Sequence, residues 1–260
     1  MRARTMVTLL ALLAWSVAGR ADEWDSASEG DDGTFTDNTL FHGSRQQHDL
    51  GTHVGFVADQ DWYLMAMRPF SSYEVIVDGQ TGDLILGANQ LQRMDANGVL
   101  AQTGSVSEDP GTVKLKWRTG PAGASVANFV RVHSPGCGTA CDLIDTYRIR
   151  FYETTYTVPR FNNSGTQSTV LVVQNATSQA CEVMSAYFSG AGALLTTQVD
   201  TLAAAATFVR PTAGLAPLAG QSGSIRLLHT CGYDGLSGKA VAIEPATGFT
   251  FDTEIVSRPR

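Results

Sequence analysis

Residues 59–104 constrain the fold most: they alternate apolar and polar side chains at period two, with turn residues between the runs. Tyr63, Met65 and Met67 fall on one face, and Trp62, Leu64 and Ala66 on the other. Tyr73, Val75 and Val77 share a face of the next run, and Asn97-Gly98 joins two short runs with a dipeptide suited to a tight hairpin. Period two is the spacing of a strand with two unlike faces, so this stretch cannot pack as a helix.

The pattern continues. Val113, Leu115 and Trp117 alternate with Lys114, Lys116 and Arg118, and Tyr147, Ile149 and Phe151 alternate with Arg148, Arg150 and Tyr152. Long helical periodicity is absent, and the Ala-rich stretch Thr201–Phe208 is too short and too Thr-flanked for a stable helix. The chain therefore reads as all-β. We expect two consecutive β-sandwich domains, jelly-roll-like over 39–157 and immunoglobulin-like over 158–260. Pro159 and the cluster Asn162-Asn163-Ser164-Gly165 mark entry to the second.

In word order the first unit resembles the bacterial pre-peptidase C-terminal domain. The matching phrases are Asp59-Gln60-Asp61-Trp62-Tyr63, Tyr73-Glu74-Val75-Ile76-Val77 and Asp95-Ala96-Asn97-Gly98-Val99-Leu100. The resemblance implies a β-sandwich in an exported protein; its residues are scaffold residues and assign no chemistry. The second unit is similar in phrasing to an uncharacterised C-terminal module of exported bacterial proteins.

The N-terminus reads as a secretory signal over residues 1–21. Arg2 and Arg4 precede an uncharged, mostly apolar run from Met6 to Val17, followed by Ala18, Gly19 and Ala21. The run is short of the roughly 20 residues that span a bilayer. We expect a soluble, monomeric protein, secreted or periplasmic, with no membrane span. The net charge is −7, and loss of residues 1–21 would take away Arg2, Arg4 and Arg20 and deepen it by three. Such a chain repels phosphate backbones, so nucleic acid is excluded as a partner.

Residues 22–38 carry seven carboxylates and few apolar side chains, the composition of a flexible, solvated leader. A sharper reading packs this strip on the first domain and forms a calcium site from Asp31, Asp32 and Asp37. Acidic linkers that hold calcium occur in collagen-binding modules that look like this domain.

Four cysteines in an exported chain suggest two disulfides, with three connectivities open. We expect Cys137–Cys141, where Gly136 and Gly138 let a loop close, and Cys181–Cys231, which joins strand ends. A metal or redox role for Cys137 and Cys141 lacks the other ligands and the helix it would need.

Catalytic signals are missing. His42, His48 and His53 crowd one stretch without zinc-ligand spacing. Gly220-Gln221-Ser222-Gly223-Ser224 fails as a nucleophile elbow and reads as a turn before a strand at Ser224–His229. Aromatics are the better lead. Trp62 or Tyr63, Tyr73 and Trp117 read as core, whereas Tyr152 and Tyr156 are expected to be exposed and to bind. The resulting expectation is an exported, non-catalytic accessory protein that binds an extracellular or envelope polymer or a protein partner. A purely structural envelope component and a hydrolase assembled from distant residues are the alternatives.

Overall fold

The computed structural model describes residues 30–51, 59–121, 128–137, 141 and 144–258. The expected signal segment, the start of the acidic strip and most of the expected strand Gly51–Val57 lie outside these residues.

Two β-sandwiches follow one another. Among the described residues ten strands build the first: β1 (Thr39–Leu40), β2 (Arg45–Asp49), β3 (Gln60–Met65), β4 (Ser72–Asp78) and β5 (Leu91–Met94), then β6 (Leu100–Thr103), β7 (Ser105–Val106), β8 (Val113–Arg118), β9 (Asn128–His133) and β10 (Thr146–Glu153). One sheet has the order β1-β3-β9-β5-β6 and the other β2-β10-β4-β8-β7. The inward set foreseen from the alternation forms the core: Tyr63, Tyr73, Val75, Val77, Leu115, Trp117, Tyr147, Ile149 and Phe151. Tyr73 stacks on Phe151 with ring centres 5.5 Å apart. Trp62 and Leu64, on the other face of β3, pack with Met94 and Phe129.

The second sandwich has β11 (Tyr156–Asn162), β12 (Ser168–Asn175), β13 (Cys181–Ser189), β14 (Leu194–Leu202) and β15 (Thr207–Pro211), then β16 (Ser222–His229), β17 (Leu236–Glu244), β18 (Phe249–Glu254) and β19 (Val256–Ser257). Its sheets have the orders β14-β13-β16-β11-β19 and β15-β12-β17-β18. The Ala-rich stretch is a turn between β14 and β15, not a helix. The link between the sandwiches is only Thr154 and Thr155, because β11 starts at Tyr156, two residues ahead of the expected boundary.

Both expected disulfides form, Cys137–Cys141 and Cys181–Cys231, with Cα atoms 5.1 and 4.9 Å apart. The second ties β13 to β16, which are antiparallel neighbours. Gly223, expected in a turn, lies inside β16 opposite Phe161 and Ser189. A Cβ there would stand 1.9 Å from the Phe188 carbonyl oxygen, so the glycine serves a close approach of two strands.

The acidic strip is not a solvated leader over residues 30–38. Asp31, Thr36 and Asn38 are buried. The Asp31 and Asn38 carbonyls accept the amides of Trp62 and Leu64 at 2.7 and 2.8 Å, and the Thr36 hydroxyl donates to the Trp62 carbonyl at 2.8 Å. The strip thus satisfies the edge of β3, which would otherwise expose unpaired backbone groups.

Candidate functional site

Tyr152 and Tyr156 are not exposed binding residues: they retain only 5% and 6% of their accessible surface. Tyr152 packs on Tyr233 of the second sandwich at 4.6 Å, with His42 at 6.1 Å. Tyr156 sits against His229 at 5.4 Å, and burial pushes its hydroxyl up to about 12. The alternation correctly put Tyr152 on the outer face of β10. It could not show that a second domain covers that face.

The seam is extensive. Phe70 of the β3–β4 turn inserts among Met184, Ala186, Phe188 and Leu228 on the outer face of the β13–β16 pair. The amide of Tyr233 donates to Glu74 at 2.7 Å, and Arg118 pairs with Glu182 at 2.8 Å. His229 Nε2 meets the Thr154 carbonyl at 2.6 Å, and the Cys231 amide donates to its Nδ1. The carbonyl can only accept, so Nε2 carries the proton and the ring is neutral. Burial lowers its pKa to about 4, with further lowering from Lys116 and Arg118.

Several openings lie beside β11 among the described residues. The first is a cleft of about 220 Å3 between β11 of one sheet and β17 and β18 of the other. Its walls include Arg160, Asn162, Gln167, Ala242, Phe249 and Phe251. Phe249 and Phe251 pair across the sheet with Glu244 and Ala242, on the face that carries Ala240 into the core. On β18 that face is left open, because β19 pairs with β11 only at Tyr156 and Thr157. Phe249 and Phe251 consequently keep 67% and 58% of their surface exposed. The sequence offered one signal for them, their spacing of two on a terminal strand. Alternation alone does not tell which way that face points.

The second opening, of about 540 Å3, lies at the junction of the sandwiches and is lined by Arg68, Glu153, Thr157, Arg226, Ser257 and Arg258 among others. Glu153 pairs with Arg258 at 2.7 Å and with Arg68 at 3.9 Å.

A third cluster lies in the first sandwich. Asp31, His48 and Asp61 are buried and can bring one ligand atom each within 4.8 Å of one another. Tyr147 donates to Asp61, and the Tyr63 and Tyr147 hydroxyls are 2.6 Å apart. Burial and the Asp61 charge raise Tyr147 well above the usual phenol range, which keeps it a donor. Of the expected calcium ligands only Asp31 takes part. Asp37 is exposed, and Asp32 is half-buried, with its carbonyl accepting from Gln60 at 3.1 Å. Two carboxylates and an imidazole do not fit calcium, which takes about six to eight oxygens.

No family model and no curated protein matches this chain. Among solved structures, a Bacteroides uniformis beta-glucuronidase aligns at 11% identity and a TM-score of 0.21, over 76% of this chain and 25% of that one. A calcium-binding mutant of Bacteroides uniformis beta-glucuronidase 2 aligns at 11% identity and 0.21, over 95% of this chain and 31% of its own. This chain thus spans less than a third of either. Such scores fall short of a shared fold, and the functional reading rests on the site alone.

Proposed function

We propose that this chain is a non-catalytic binding module that works outside the cytoplasm and meets an extracellular or envelope polymer along the β11–β18 edge of its second sandwich. The observation that carries the reading is the pair Phe249 and Phe251, exposed side by side over an open cleft. Contiguous exposed aromatics mark interaction sites, and their faces can stack on sugar rings of an extended chain. Polar Asn162, Gln167 and Arg160 on the same walls supply donors for orientation. Two disulfides fit an oxidising compartment. Among the described residues no helix is long and apolar enough to cross a membrane.

The non-catalytic part of the reading is supported by His229, which is buried and held by main-chain groups rather than poised beside a nucleophile. We further propose that the module works without calcium, given the donor set around Asp31. Replacing Phe249 and Phe251 together by alanine tests the reading. Retention on an insoluble polymer should be lost while the melting temperature stays near that of the parent.

A further inference from the structure

We propose that the groove at the junction of the sandwiches binds the carboxylate groups of an anionic polysaccharide through Arg226 and Arg68. The inference rests on the module reading above and adds a substrate class to it. Three guanidinium groups and one carboxylate line this groove, so it is locally positive on a chain whose net charge is −7.

The three cations are not equivalent. Arg258 is committed to Glu153 at 2.7 Å. Arg68 reaches the same carboxylate only at 3.9 Å and leaves 63% of its side chain exposed. Arg226 donates one N–H to the Pro69 carbonyl at 3.2 Å, and its guanidinium lies over the Phe188 ring at 5.2 Å. Those two contacts fix its plane and leave most of its five donors directed elsewhere. A planar, pre-positioned guanidinium favours a two-oxygen acid such as a carboxylate, which it can grip with parallel hydrogen bonds. Glu153 already occupies such a seat between Arg258 and Arg68, so the groove's geometry admits a carboxylate.

The polymer class follows from the strand between the two openings. Thr157 lines the arginine groove, and Arg160 and Asn162 line the aromatic cleft. Thr157 also stands directly opposite Arg226 in the sheet. From Thr157 to Asn162 the strand covers roughly 16 Å. Thr157 and Arg226 lie on the outer face of their sheet, whereas Phe249 and Phe251 lie on the core-side face of the other, so a polymer engages both openings by crossing the edge beside β11, with sugar rings on Phe249 and Phe251 and an acid group at Arg226 and Arg68. The hydroxyls of Thr157 and Ser257 stand beside that acid group's place.

Affinity electrophoresis of the purified protein tests this, in native gels containing polygalacturonate, dextran sulfate or neutral hydroxyethyl cellulose. A chain of charge −7 has no general attraction to polyanions, so retardation in the first gel reports a site. We expect retardation in polygalacturonate, weakened at least tenfold in Arg68→Gln/Arg226→Gln and clearly in Arg226→Gln alone. Arg45→Gln, an exposed charge on β2, should leave it unchanged, and melting curves should show all variants folded. Undiminished retardation of the double variant overturns the proposal, as does equal weakening by Arg45→Gln. Stronger retardation in dextran sulfate overturns the carboxylate assignment. Retardation only in the neutral gel overturns the arginine groove but leaves the module reading standing, whereas no retardation in any gel removes both.

Discussion

Phe70 and Phe188 meet edge to face at 5.4 Å across the boundary between the two sandwiches. Phe70 sits in a turn with φ near 49°, a left-handed conformation that a bulky side chain rarely adopts. Its burial among Ala186, Leu228, Met184 and Phe188 holds it there. We expect Phe70→Ala to cost roughly 3 kcal/mol, the low end for a buried phenylalanine. It should also uncouple the domains, because the alanine keeps the strained turn and loses the contact. Calorimetry reads both effects. A single endotherm in the parent should become two in the variant, and superimposable endotherms would refute the coupling.

His229 makes the seam sensitive to acid. Its folded pKa is about 4, against 6.5 for an unhindered imidazole. The unfolded chain therefore takes up a proton first as pH falls. Stability is intact above pH 6.5, is lost between 6.5 and 4, and stops falling once the folded ring also protonates. The full loss is on the order of 3 kcal/mol. Urea unfolding at pH 7 and pH 4.5 should show it. His229→Gln should flatten that pH dependence, and an unchanged slope in the variant would place the acid sensitivity elsewhere.

Cys181 and Cys231 close a loop with a sequence separation of 50. Replacing both by alanine should destabilise the second sandwich by about 4 kcal/mol, through the freedom returned to the unfolded chain. Denaturant titration with and without reductant measures this. A reductant effect on the parent that persists in the double variant would assign the loss to Cys137–Cys141 instead.

Metal dependence separates the acidic strip from the binding edge. Asp31 belongs to a buried cluster in the first sandwich, and Phe249 and Phe251 line a cleft in the second. Polymer retention should be equal in calcium and in chelator. Retention that disappears in chelator would contradict this.

Much of the fold was legible because alternation reports directly on which face of a strand is buried. Val113, Leu115 and Trp117 turned inward as read, as did Tyr147, Ile149 and Phe151. Cys181 and Cys231 lay near strand ends that pairing brings together. The errors share one cause. Alternation reports that a residue leaves its own core but not what else covers it. Tyr152 left one core and was buried by Tyr233, and Tyr156, expected beside it on the surface, is buried against His229. Asp31 looked solvated by composition, yet its backbone completes the edge of β3. Contacts between distant segments decide all three positions, and local pattern carries no record of them.

The central claim is that Phe249 and Phe251 form a polymer-binding surface. Co-sedimentation of the purified protein with collagen, chitin, cellulose and peptidoglycan tests it most directly, run beside Phe249→Ala/Phe251→Ala. We expect at least one polymer to retain the parent and to release the double variant, with affinity reduced at least tenfold and melting unchanged. Equal retention of parent and variant, or no retention by any polymer, would contradict the claim and leave a structural role in the envelope as the better reading.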